Sequence, residues 1–174
     1  MARQDPLMTN PFSLHGRRAL VTGANTGIGH TIAMGLANAG ATVVCTGRSA
    51  SDETVDRITK AGGTAALCHV DFADPMAAQG LFADQNFALL INNAGIITRS
   101  DAVEATEADW DTVMDVNLKS LFFTTQAFWQ RVLCQRPAWS RRQHCITAVL
   151  SGRYPRGSLH GLKARRCRAN QDAG

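Results

Sequence analysis

Eight residues near the start of the chain, Thr22-Gly23-Ala24-Asn25-Thr26-Gly27-Ile28-Gly29, combine glycines with small polar residues. Gly23 permits a tight turn, and Gly27 and Gly29 leave room for a pyrophosphate to approach the backbone. The N–H groups of a helix starting there would receive its negative charge. Three further polar clusters stand nearby: Asp71-Phe72, Asn92-Asn93-Ala94-Gly95 and Asn117 within Asp115-Val116-Asn117-Leu118. Each has a plainer use. Asp71 suits a strand-end turn, and Asn93 or Asn117 could satisfy backbone groups beside a helix.

The elements around these residues alternate. Arg18-Ala19-Leu20-Val21-Thr22 is a short apolar run that stops at Gly23, as a buried strand does. Ile28 to Ala39 has helical spacing and ends at Gly40. Ala41 to Cys45 is a second strand. Ser51 or Asp52 can cap a helix to about Ala61, which Gly62-Gly63 ends. Ala65 to Val70 is a third strand, and Asp74-Pro75 opens a helix. Phe87 to Ile91 is a fourth strand. Glu107 to about Phe128 is a long helix carrying Trp110, Val113, Met114, Leu118, Leu121 and Phe122. Strands alternating with helices predict an α/β, Rossmann-like parallel sheet with helices on both faces. The glycine cluster then falls between the first strand and the first helix, where a nucleotide phosphate would sit.

The spacing of that cluster is GxxxGxG. It resembles the short-chain dehydrogenase/reductase family, and the other clusters agree in order. Asn92-Asn93-Ala94-Gly95 matches the family's NNAG after the fourth strand. Asp71 matches its adenine contact after the third, and Asn117 matches its helix Asn. Gly-Ala-Asn-Thr-Gly-Ile-Gly and Ile-Asn-Asn-Ala-Gly-Ile-Ile-Thr-Arg are most similar to the sugar-acid branch. That branch includes 2-deoxy-D-gluconate 3-dehydrogenase and 2-dehydro-3-deoxy-D-gluconate 5-dehydrogenase. The likeness runs from about Phe12 to Leu133. It implies a nicotinamide dinucleotide held by Gly23, Asn25, Thr26, Gly27, Ile28, Gly29, Arg48, Ser49, Asp71, Phe72, Asn93, Ala94 and Gly95, with Asn117 supporting a proton relay. An acid after the second strand would bind the ribose 2′-hydroxyl of NAD. Gly47-Arg48-Ser49 instead leaves room for a 2′-phosphate beside a forked cation, which favours NADP and leaves NAD open.

The same likeness demands a tyrosine with a lysine four residues later, acting as general acid or base. The chain has one tyrosine, Tyr154, and Ser158 stands four residues on. Composition changes over the same stretch. Residues 1–133 hold 9 Lys/Arg and 13 Asp/Glu, a net of −4, whereas residues 134–174 hold 9 Lys/Arg and one acid, Asp172, a net of +8. Read one nucleotide later, suitable codons for Arg142 to Val149 spell Val-Asn-Ile-Ala-Ser-Leu-Leu. Codons for Leu159 to Ala173 likewise spell Tyr-Thr-Ala-Ser-Lys-His-Gly-Val-Ala-Gly-Leu-Thr-Lys-Met-Leu. The family's Ser, Tyr and Lys then fall at Ile146, Leu159 and Lys163. A frameshift between about Trp129 and Arg142 accounts for the charge break and the lost motif together. The rival is a genuine basic tail, with Trp139 and Tyr154, that binds nucleic acid or an anionic surface.

The frameshift reading carries further expectations. Residues 12–133 form the N-terminal part of an NAD(P)-binding domain, and residues 134–174 are an out-of-frame tail, disordered from about Trp139. The sheet stops after about four strands, in order 3-2-1-4. Leu89-Leu90-Ile91 is left as an exposed, aggregation-prone edge, and stability is marginal. The family's oligomer-forming later helices are missing, so an oligomer is in doubt. The chain is either a sugar-acid oxidoreductase by family or an inactive nucleotide-binding fragment. Cys45, Cys68, Cys134, Cys145 and Cys167 are scattered and never spaced as CxxC. They suit a reducing cytoplasm and neither a disulfide framework nor a metal site, and His144-Cys145 has no matching pair. The start of the chain has no apolar run that would suggest a secretory leader, and no apolar stretch is long enough to span a membrane.

Overall fold

The structure, a computed structural model, describes residues 12–48, 53–83, 85–99, 101, 103–134 and 146–149. Strands β1 (Arg18–Thr22), β2 (Thr42–Gly47), β3 (Thr64–His69), β4 (Leu89–Asn92) and β5 (Ile146–Val149) form one sheet in the order β3-β2-β1-β4-β5. Every pairing is parallel: Leu20 faces Val44 on one side and Leu90 on the other. Ala19-Leu20-Val21 of β1 and Leu89-Leu90-Ile91 of β4 are buried apolar runs, as suits strands covered on both faces, and each strand ends in a buried polar residue, Thr22 or Asn92. The expected order 3-2-1-4 is therefore present. One expectation is corrected: β4 is not an open edge, because Ile146–Val149 pairs along Leu89–Asn92. A strand edge offers only backbone groups, so any short β-branched and apolar run can add to it, whatever reading frame encodes it. The rest of the expected disordered tail, with Trp139 and Tyr154, lies outside the described residues.

Alternate residues of each strand feed two cores. On one face, Ala19, Val21, Val43, Cys45, Leu89 and Ile91 meet Ala33 and Ala37 of helix α1 (Gly27–Asn38) and Ile58 of α2 (Glu53–Lys60). The small alanines let α1 lie close to the sheet. On the other face, Leu20, Val44 and Leu90 meet an aromatic group in which Phe82 stands edge-on to Phe87 and Phe128. Edge-to-face rings at such centroid distances add to simple area burial.

Two helices differ from the sequence reading. The segment after Asp74-Pro75 is only a short 3-10 turn, Ala77–Phe82. The side chains of Asp71 and Asp74 accept hydrogen bonds from the N–H groups of Ala73 and Met76, at 3.0 and 2.9 Å. These local turns compete with a helix and delay it. The long helix starts as expected, on a Thr106 cap reciprocated by Asp109. It then runs as α3 (Glu107–Met114), a π-helical turn (Asp115–Ser120) and α4 (Leu121–Cys134).

Candidate functional site

A cleft of about 740 Å³ opens at the carboxyl ends of β1, β2 and β4. Strand order reverses here, between β1 and β4, which is where open parallel sheets bind ligands. The volume is within the usual range for a small-molecule site. Its wall contains Gly23, Asn25 and Thr26 from the first loop, Ile28 at the start of α1, Arg48 after β2, Asp71 and Phe72 after β3, and Asn93, Ala94 and Gly95 after β4. The residues singled out in the sequence thus converge from four separate loops.

The first loop owes its shape to glycine. Gly23 has φ +63°, and a Cβ there would stand 2.9 Å from the Ala94 Cα. A Cβ at Gly29 would collide with the Gly23 carbonyl and the Asn93 amide. Glycine at both positions therefore leaves room for the Ala94 backbone and the Asn93 amide of the second loop. Gly27 and Gly29 are not on the cleft wall; they set the start of α1 behind it. Thr26 caps α1 in extended geometry, makes no side-chain hydrogen bond to the helix, and is followed by no acid in the first turn. A helix start of this kind, with its dipole and its free main-chain donors, attracts an anion.

Asn93 joins the two loops. Its Nδ2 donates to the carbonyls of Thr22 and Gly23, at 3.0 and 2.9 Å, while its own N–H and that of Ala94 donate to the Thr22 hydroxyl at 2.9 Å. The structural use of Asn93 is thus real, and it shapes the cleft. Asn117 behaves alike. From the π-helical turn, its Oδ1 accepts from the Ile96 N–H at 2.8 Å and its Nδ2 donates to the Ile96 carbonyl at 2.7 Å. This two-point clamp holds the Gly95-Ile96 backbone, and Asn117 itself is not on the wall. π-turns are frequent where a functional side chain must be re-aimed.

Arg48 is exposed at the β2 end of the cleft, and Ser49 lies outside the described residues. Sequence reasoning missed Ala73, Ile96 and Val116 on the wall. Ala73 and Ile96 follow recognised residues directly, so their place was recoverable. Val116 carried only an apolar signal. No group of three or more His, Cys, Asp or Glu gathers for a metal among the described residues. No helix among them is long and apolar enough to cross a membrane.

Comparison with known proteins agrees with this geometry. The family model described as short chain dehydrogenase matches residues 17–139. A 2-dehydro-3-deoxy-D-gluconate 5-dehydrogenase of Escherichia coli (strain K12) is 37% identical over 134 residues, covering 74% of this chain and 53% of the relative. The gluconate 5-dehydrogenase of Gluconobacter oxydans (strain 621H) is 42% identical over 129 residues, covering 69% and 50%. Among solved structures, one with bound NADP, described as a 2-deoxy-D-gluconate 3-dehydrogenase from Agrobacterium tumefaciens, is 63% identical. It has a TM-score of 0.71 over 73% of this chain and 52% of that one. The chain spans about half the length of the relatives it matches.

Proposed function

The chain belongs to the short-chain dehydrogenase family, and from that premise we propose that its cleft binds NADP or NAD as the dinucleotide-binding part of a sugar-acid oxidoreductase. One observation carries the reading: four loops bring a glycine-shaped helix start, a cation and an acid to one cleft at the reversal of strand order. The residues fit such a group. The α1 start, bare of acids and of side-chain caps, suits a diphosphate. Arg48 suits a 2′-phosphate better than a 2′-hydroxyl, so NADP is the preferred form. Asp71 and Phe72 offer a polar and a flat partner for the adenine end. Asn93, Ala94 and Gly95 form the wall toward the nicotinamide end, and Asn117 holds that wall in place. When bound, the dinucleotide supplies hydride transfer; the protein must supply proton transfer.

Proton transfer is where this chain departs from the family. The only tyrosine is Tyr154, and the position four on is Ser158. A tyrosine paired with a lysine one helical turn away is what lowers the phenol's pKa and hands a proton to the substrate oxygen. We take residues 134–174 to be out of frame, so the chain as written binds the dinucleotide and does not turn over a gluconate-type substrate. We place its work in a reducing cytoplasm, in keeping with cysteines that are scattered along the sequence and never spaced as CxxC.

The test is a titration of the full chain with NADPH and then NADH, followed by nicotinamide fluorescence. Saturable binding, tighter for NADPH, with no oxidation of gluconate-type sugar acids, is the expected result. Absence of binding to either form would sink the reading, and turnover by this sequence would sink its second half.

A further inference from the structure

Thr54 is nearly fully buried, at 1% exposure, although Glu53 and Asp56 in the same first turn of α2 are exposed. Its hydroxyl lies 2.8 Å from the Ala24 carbonyl and 3.3 Å from the Asn25 carbonyl. His30, in the first turn of α1, places Nδ1 at 2.7 Å from the same hydroxyl. The single hydroxyl proton goes to the carbonyls, which are acceptors only. His30 must then donate through Nδ1. One buried oxygen thereby ties α2, α1 and the glycine loop together.

We propose that Thr54, backed by His30, is a positioning residue for the diphosphate of the dinucleotide. The inference rests on the binding function proposed above. Its logic is that of the planar peptide. In a trans peptide the C=O and the next N–H point in opposite directions. Holding the Ala24 and Asn25 carbonyls toward α2 turns the N–H groups of Asn25 and Thr26 the other way, and both residues line the cleft. Thr54 sits behind the loop and is not on the cleft wall, so it acts on the ligand through donor direction. It also stands one residue into α2, the helix that follows the Arg48 segment. Neither Thr54 nor His30 belongs to the glycine cluster or to the other clusters that mark the site in the sequence.

The experiment compares the full chain with Thr54→Val, Thr54→Ser and His30→Ala. NADPH affinity is read by fluorescence, and amide exchange of residues 22–29 is read without ligand. Thr54→Val keeps the shape and removes the hydroxyl's hydrogen bonds to Ala24, Asn25 and His30; it should weaken NADPH by about tenfold and speed loop exchange. Thr54→Ser should restore both to within about twofold of the wild type, because the hydroxyl is retained. His30→Ala should give a smaller loss, about threefold, because the Thr54–Ala24 bond survives it. Equal behaviour of the Val and Ser variants, or unchanged exchange in Thr54→Val, would overturn the proposal, since packing alone would then explain the residue. If Thr54→Val loses its cooperative melt, the Ser and His30 variants decide by the same readings. If the wild-type chain binds no dinucleotide, the functional reading has failed separately, and the exchange comparison still decides whether Thr54 orders the loop.

Discussion

The cleft loops and the stretch after Cys134 are opposites in how they carry information. Up to residue 133 the acids outnumber the bases 13 to 9, and the residues that shape the cleft bond to one another: Asn93 to Thr22 and Gly23, Asn117 to Ile96, Thr54 to Ala24. After it, nine bases stand with one acid, and the tyrosine–lysine spacing is absent. Binding a dinucleotide draws on main-chain donors and glycine space, both of which the first region builds locally. Moving a proton needs two particular side chains a helical turn apart, and under the frameshift proposed above their coding depends on the frame of the second region. A chain can therefore keep the first capacity and lose the second through a change that touches no binding residue.

The strongest way to break this comparison is to restore the frame. Removing one nucleotide between the codons of Trp129 and Arg142 should place tyrosine at position 159 and lysine at 163. NADP-dependent oxidation of a gluconate-type sugar acid should then rise from background by at least about 10²–10⁴, the usual worth of a positioned acid–base group. A restored chain that binds NADPH and stays inactive would show that the second region lacked more than its frame. A substitution inside the first region comes next. Gly29→Ala should weaken NADPH by about 10²-fold, because its Cβ must displace the Gly23 carbonyl and the Asn93 amide, and each lost buried bond is worth roughly tenfold. Arg48→Ala is smaller and selective. It should cost NADPH about tenfold and leave NADH unchanged, as expected for one charge-assisted contact to a 2′-phosphate. Equal losses for both forms would remove Arg48 from the 2′ side.

Much of the first region was legible because its signals are local. β1 falls on the very residues its apolar run names, and α1 ends at Asn38, just before the left-handed Gly40 that stops it. Gly23 and Asn93 were readable as loop residues from their places after apolar runs, although their mutual contact spans 70 residues and no local pattern encodes it. The helix expected after Pro75 was not formed, because Asp71 and Asp74 hold competing turns, of which the sequence suggested only the one at Asp71. The π-turn around Asn117 was not anticipated, because Leu118, Leu121 and Phe122 keep ordinary helical spacings of three and four. Thr54 was invisible for a related reason. A threonine early in a helix reads as a surface residue until its neighbours are known. β5 was missed because a lone strand edge accepts many sequences.

The smallest expected effect asks whether the first region holds together as a sheet, whatever the second region does. Cys45 lies in β2 at 1% exposure, and burial raises its thiol pKa from 9.0 to about 11. Its thiolate is accordingly scarce at neutral pH, and its sulfur is covered. Cys134, at the exposed end of α4, has no such cover. Brief treatment with iodoacetamide at neutral pH should label Cys134 first and Cys45 only after denaturant is added, as peptide mapping would read. The pH dependence has a fixed sign. An unfolded Cys45 gives up its proton near pH 9 and the folded one near 11, so the unfolded state binds fewer protons between them. Stability is fully present below about pH 9 and declines as pH rises toward about 11. A Cys45→Ser variant should lose that part of the alkaline decline. Labelling of Cys45 as fast as Cys134 at neutral pH would mean that β2 opens freely. The contrast would then lie between two unformed regions, and no dinucleotide site would survive in either.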